Sequence, residues 1–224
     1  MNSNTGISIQ VSLSGYSFRL DGLQDRRSAW LEAGTIFTIP EFRQRYDNVR
    51  ISLLTPKCTL VPEQFFSPGR IREGLEESVH IDEDDRMEFV RMEKLGAVML
   101  FATGRSESLA KTIAGMVQTT DGYSARIFPE LYYMISELGK LSDYNKIIVS
   151  YADGYLHLVI AQGNNLMLAN SFHAKDFTTV EYFIFLAMKK LQLNPEVSTI
   201  FLRTPISMED EMSLYRYFKD VEKI

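Results

Sequence analysis

A chain of 224 residues that is 45% hydrophobic, 24% charged and 12% aromatic has the composition of an ordinary globular protein, long enough for one large domain or two small ones. Its 24 basic and 29 acidic residues leave a net charge of -5 spread along the chain, which offers no strongly basic face to a nucleic-acid backbone. The lone Cys58 excludes an intrachain disulfide and a cysteine-based zinc site, and fits a reducing compartment.

The first residues, 1–8, are polar, with no basic segment leading into an apolar one, so no signal peptide is expected. Residues 7–21 alternate as a half-buried hairpin does, with Ser14-Gly15 at the turn. A third strand is expected over 29–38, carrying Trp30, Leu31, Ile36 and Phe37. Pro40 then opens a short helix reaching Tyr46. Residues 49–54 read as a strand stopped by Thr55-Pro56, and 58–62 as a strand end leading into Glu63-Gln64-Phe65-Phe66.

After the turn signal Ser67-Pro68-Gly69 comes a polar helix near 70–77, then the acidic loop Asp82-Glu83-Asp84-Asp85. Strands are expected at 86–92 and 97–102, and a helix from Gly104-Arg105-Ser106 to about Gln118. A strand around 123–127 precedes a helix over 129–138 that Gly139 closes as a C-cap. Three strands, 146–151, 155–161 and 166–172, follow as a meander joined by Asp153-Gly154 and Gly163-Asn164-Asn165. Asp176 is a suitable N-cap for a helix whose Phe177, Val180, Phe183, Ile184, Ala187 and Leu191 recur at helical spacing. A buried strand at 198–202 then feeds a last helix over 207–221. The most apolar stretches, 95–102 and 182–188, are far shorter than the ~20 residues of a membrane span.

The two ends carry a repeat. Val11-Ser12-Leu13-Ser14-Gly15-Tyr16 matches Val149-Ser150-Tyr151-Ala152-Asp153-Gly154-Tyr155 with one inserted residue, and in each half a hairpin, a further strand, a helix and a strand follow in order.

Two stretches carry a family resemblance. Thr59-Leu60-Val61-Pro62-Glu63-Gln64-Phe65-Phe66, and Ala169-Asn170-Ser171-Phe172 with Asp176-Phe177 and Tyr182-Phe183, resemble the uncharacterised bacterial domain-of-unknown-function family 3822. Members of that family resemble the actin-like, sugar-kinase and heat-shock ATPase superfamily, nearest to the actin-like components of type IV pilus and type II secretion machines. The resemblance implies an α/β protein with mixed sheets: a duplicated ribonuclease-H-like, actin-like ATPase-type fold with two subdomains across a cleft. These are expected at 1–118, with inserted strands around 86–102, and at 119–224.

In active members of the superfamily each half's first hairpin supplies a carboxylate and small turn residues to magnesium and phosphates. The positions that match here are Ser12, Ser14 and Gly15, with no carboxylate at the strand end, and Asp153 and Gly154. Asp153 also suits a type I′ turn. Where the superfamily's glycine pair receives adenosine, after strand 198–202, the sequence has Arg203-Thr204-Pro205-Ile206. Three features are missing or degraded, so no nucleotide hydrolysis is expected.

Other chemistries are poorly supported. Ser108-Leu109-Ala110-Lys111 has Ser-x-x-Lys spacing, and Ser142-Asp143-Tyr144-Asn145 resembles a second penicillin-binding motif, but no Lys-Thr-Gly follows; Ser106 and Ser108 read as helix caps. His80, His157 and His173 lack metal-ligand spacing, and His157 and His173 read as partly exposed strand histidines. The acidic loop lacks the glycine and terminal glutamate of a calcium site. Phe65-Phe66, Tyr132-Tyr133, Tyr182, Phe183 and Phe185 are candidates for a hydrophobic groove. The expectation is therefore a cytoplasmic, non-catalytic scaffold or protein-binding module with an unidentified protein partner. It has no catalytic residue, no metal, no cofactor, no nucleic-acid partner and no membrane insertion. The alternative is a divergent ATPase or kinase that binds ATP and magnesium through the two turns.

Overall fold

The computed structural model describes residues 5–22 and 26–224. Part of the N-terminal stretch read for a signal peptide, 1–4, therefore lies outside the described residues. The chain divides into two compact units, Met1–Pro129 and Glu130–Ile224.

In the first unit β1 (Gly6–Val11) pairs antiparallel with β2 (Gly15–Asp21), and the short strands β3 (Arg26–Arg27) and β4 (Leu31–Glu32) pair antiparallel with β2. Another short strand, β5 (Arg45–Tyr46), precedes β6 (Asn48–Leu53), which lies parallel to β1. Next come β7 (Cys58–Pro62), α1 (Ile71–Glu76), β8 (Met87–Met92), β9 (Ala97–Ala102) and α2 (Glu107–Met116). Two more strands end the unit: β10 (Gln118–Thr119), parallel to β5, and β11 (Ile127–Pro129), parallel to β6. The main sheet runs β11-β6-β1-β2-β3, while β7-β9-β8 form a separate antiparallel sheet under α1.

Alternation turns Ile7, Ile9 and Val11 to one face, where they meet Ala110, Ile113 and Ala114 of α2. The two alanines let the helix approach the sheet closely, and each fully buried Ile, Leu or Val contributes about 1.5–3 kcal/mol. A second core joins Leu75 of α1 to Val98, Leu100 and Ala102 of β9.

The second unit opens with α3 (Glu130–Glu137), then the meander β12 (Asn145–Ala152), β13 (Tyr155–Gln162) and β14 (Asn165–His173). Asp153 and Gly154 both take positive φ, 50° and 75°, as a type I′ hairpin requires. Next, α4 (Phe177–Lys190) is capped by Asp176, whose carboxylate accepts from the Thr179 amide at 2.8 Å. Then follow β15 (Thr199–Leu202), α5 (Met208–Leu214) and β16 (Asp220–Lys223), in the sheet order β14-β13-β12-β15-β16. Val180, Ile184 and Met188 of α4 cover Ile147, Val149, Leu156, Leu158 and Ile160. Side chains of opposite parity, Ser150 and His157 among them, point to the other face, against α3.

The units share one topology. In each, the first strand lies between an antiparallel second strand and a parallel fourth, with a parallel fifth beyond it and the third at the opposite edge. The same backbone bond continues the parallel pairing in both: Leu54 N–H to the Val11 carbonyl at 2.8 Å, and Arg203 N–H to Val149 at 2.9 Å. This aligns Ser12 with Ser150 and Thr55-Pro56 with Thr204-Pro205. The sequence repeat holds at Val-Ser and slips at Gly-Tyr, because Val11 pairs with Tyr16 whereas Val149 pairs with Leu158. The second hairpin runs three pairs further before it turns.

Several sequence expectations give way in the structure. Residues 33–38 form a 3-10 helix rather than a strand, since Thr35 and Thr38 hydroxyls bond the Glu32 and Thr35 carbonyls and hold the chain turned. The short helix after Pro40 stops at Arg43, because Arg45 and Tyr46 pair with β10. The strand expected at 123–127 lies at 127–129, beside β6. Gly139 sits inside a 3-10 turn, Leu138–Lys140, and is not a left-handed cap. The last helix ends at Leu214 because residues 220–223 pair with β15.

Gly15 is a close-approach glycine: a Cβ there would lie 2.0 Å from the Leu31 carbonyl oxygen, whereas one on Gly34 would meet nothing within 4 Å. Gly15→Ala is therefore expected to force β4 off β2 and cost about 2–3 kcal/mol in urea unfolding, while Gly34→Ala leaves the midpoint within error.

Candidate functional site

At the end of β1, Ser12 is buried, and its N–H bonds the Gly15 carbonyl across the loop at 2.9 Å. The loop hydroxyls are engaged by the chain itself. Ser12 and Ser14 Oγ atoms lie 3.4 Å apart, and the Trp30 indole N–H donates to Ser14 Oγ at 3.1 Å. Leu13 at the loop tip is exposed. None of the loop residues Ser12 to Gly15 carries a carboxylate.

In the second unit Asp153 and Gly154 form the exposed type I′ turn, and the Gly154 carbonyl accepts from Ala174 N–H at 2.7 Å. The slipped register places this turn two pairs beyond the position that corresponds to Ser12. That position is Ser150, which is fully buried.

Ser150 belongs to a polar cluster that motif reading missed. Its hydroxyl donates to Glu130 Oε1 at 2.5 Å, and the same oxygen receives Arg203 Nε at 2.7 Å. Glu130 is 0% exposed and the Arg203 side chain 9%. Burial opposes the Arg203 charge, and the Glu130 carboxylate more than offsets that, holding the guanidinium above its ordinary pKa. Thr204 Oγ1 accepts from the Tyr151 amide at 2.8 Å. Beside Ser150 in the sheet lies His157, also 0% exposed, with Nδ1 2.7 Å from Ser171 Oγ and Nε2 without a hydrogen-bond partner. Burial holds its imidazole at a pKa of about 4, against a smaller upward pull from Glu130. Thus His157 is a core residue, not a partly exposed one, and it pairs with Ser171; His173 is exposed, against the Tyr155 ring.

A magnesium-bound nucleotide does not suit these residues. The first strand ends offer hydroxyls rather than carboxylates, one of them bonded to Glu130. The segment after β15 is filled by a bulky, ion-paired arginine and an engaged threonine. Among the described residues, no three His, Cys, Asp or Glu side chains group to hold a metal ion.

The remaining candidates separate. Ser108 and Lys111 lie on an exposed face of α2, where Lys111 pairs with Glu107 at 2.7 Å. Ser106 stands at the N-cap without a side-chain bond, and Ser108 lies inside the helix, so neither caps it. The acidic loop is an anchor: Lys57 Nζ reaches Asp82 at 2.6 Å and the buried Asp85 at 2.5 Å, and these contacts hold the Asp82 carboxyl below its usual range. Several of the aromatic candidates are committed within their own units. Phe183 stacks on Phe172, Phe185 on Phe218, and Tyr133 is buried, which leaves Phe65 in the first unit and Tyr182 in the second exposed.

The family model described as "Protein of unknown function (DUF3822)" matches residues 16–221. The chain belongs to the DUF3822 family. No curated protein matches it. A Bacteroides thetaiotaomicron protein with an actin-like ATPase fold and unknown function is 15% identical, over 99% of the DUF3822 chain and 91% of its own, at a TM-score of 0.65. The PilM-PilN type IV pilus biogenesis complex matches at 14% identity, over 98% and 88% of the two chains, with a TM-score of 0.54. The cytoplasmic domain of EpsL, an inner-membrane component of the Vibrio cholerae type II secretion system, matches at 11% identity, over 91% and 83%, with a TM-score of 0.48. At these identities the likeness defines the fold: this DUF3822 protein has the two-subdomain, ribonuclease-H-like fold of the actin-like ATPases.

Arg203→Met leaves the Glu130 carboxylate buried without its cation, and is expected to cost about 3–5 kcal/mol in chemical denaturation. Asp153→Asn keeps a residue type that tolerates positive φ and is expected to change stability by less than about 0.5 kcal/mol.

Proposed function

We propose that this DUF3822 protein is a non-catalytic actin-like module of the bacterial cytoplasm that acts by binding another protein. One observation carries the reading: the chain's own side chains engage two of the three segments that the family resemblance assigns to phosphate and adenosine, the first hairpin loop and Arg203-Thr204. Trp30 bonds Ser14, Glu130 holds Ser150 and Arg203, and Thr204 caps the Tyr151 amide. A protein partner accords with PilM, which shares the fold and is solved in complex with PilN. The net charge of -5 argues against a nucleic-acid partner. Among the described residues no helix is long and apolar enough to cross a membrane.

Thermal unfolding with and without millimolar ATP or ADP and magnesium tests the reading. A ligand present at 100 times its Kd raises stability by about 2.7 kcal/mol, so binding would appear as a clear rise in Tm. No shift is expected. A rise that Asp153→Ala abolishes would establish instead a divergent nucleotide-binding ATPase or kinase, gripping phosphates through the backbone amides of the Ser14-Gly15 and Asp153-Gly154 turns.

A further inference from the structure

The Glu130 cluster sets a buried carboxylate, a buried guanidinium and a buried imidazole within one sheet face. Its carboxylate accepts from the Arg203 guanidinium and from the neutral Ser150 hydroxyl. The His157 ring lies across the ladder from Ser150, fully buried, with Nε2 facing no acceptor. The other polar groups around this face are also committed or uncharged. From α3 and the turn after it come Tyr133, Glu137 and the Leu138 carbonyl, which Lys146 of β12 bonds at 3.0 Å. Glu137 pairs with Lys140, and it and Tyr133 add to the field that keeps Arg203 charged. From β14 come Ser171, bonded to Nδ1, and the exposed His173. A proton on His157 would therefore add a second buried cation beside Arg203, to be answered by a carboxylate already shared by two donors.

We propose that this cluster is an acid-operated latch: protonation of His157 releases α3 from the β12–β13–β14 face of the second unit. The ring lies on β13, on the face that α3 covers, so a protonated imidazole reaches water when that helix lifts. The direction follows from linkage. The folded imidazole titrates at about 4 against an ordinary 6.5, so the closed form is fully favoured above pH 6.5 and loses ground as pH falls toward 4. Within that window each unit of pH favours the open form by up to about tenfold.

Native-state hydrogen exchange of the α3 amides, corrected for intrinsic rates, tests the latch between pH 7 and 5. The expected result is a protection factor for 134–137 that falls by about tenfold or more over this range, and a His157→Gln variant in which the fall disappears. Unchanged wild-type protection, or an equal fall in the variant, would overturn the proposal. Should the variant fail to fold, the His157 ring titration followed by NMR in the wild-type protein decides: α3 protection that falls in step with protonation of the ring supports the latch. A ring protonated above pH 6 while α3 stays protected overturns it.

Discussion

A carboxylate with no access to water has to be answered by protein atoms, and the second unit is organised around answering one. Glu130 enters the sheet face at the first residue of α3, 20 positions before Ser150 and 73 before Arg203. Removing either partner leaves a buried group unsatisfied, at a cost comparable to much of a domain's net stability. The contact therefore constrains three elements together: the start of α3, the end of β12 and the segment that leaves β15. It also keeps that segment occupied, and the functional reading follows from this.

The duplicated topology shows what is specific about the arrangement. Leu54 and Arg203 hold equivalent places after the fourth strand, each bonding back to the first strand through its amide. In the first unit the side chain is an ordinary buried leucine, and in the second it is an arginine that needs a counter-ion inside the protein. Likewise the Ser12 hydroxyl lies beside the loop hydroxyl of Ser14, while that of Ser150 meets Glu130. The two units thus use one backbone plan with two solutions for the strand ends, paired hydroxyls in the first and a buried ion pair in the second.

Much of this was legible in the residues wherever the signal was local. The meander of the second unit follows from alternation and from Asp153-Gly154, whose positive φ values only a few residue types adopt easily. The start of α4 follows from Asp176. The strand β16 was hidden because its local pattern favours a helix that pairing with β15 overrides, and the 3-10 segment over 33–38 because its apolar residues read as a strand although the Thr35 and Thr38 hydroxyls turn the chain. The register slip between the two hairpins was hidden because a short motif match carries no ladder. The polar cluster was hidden for a related reason: Glu130 and Arg203 each look like a surface charge until the fold brings them together. A lone serine within Ile147-Ile148-Val149-Ser150-Tyr151, and a lone arginine closing a buried strand, were the available hints that something polar waits inside.

A double-mutant cycle on Glu130→Gln and Arg203→Met, read by chemical denaturation, addresses the central claim most directly, because it measures whether the segment after β15 is held from within. The account predicts that the double variant is more stable than the sum of the single changes allows, with a coupling of about 2 kcal/mol or more. Additivity within about 0.5 kcal/mol would mean that the pair is not engaged, and that the segment is open to a ligand after all.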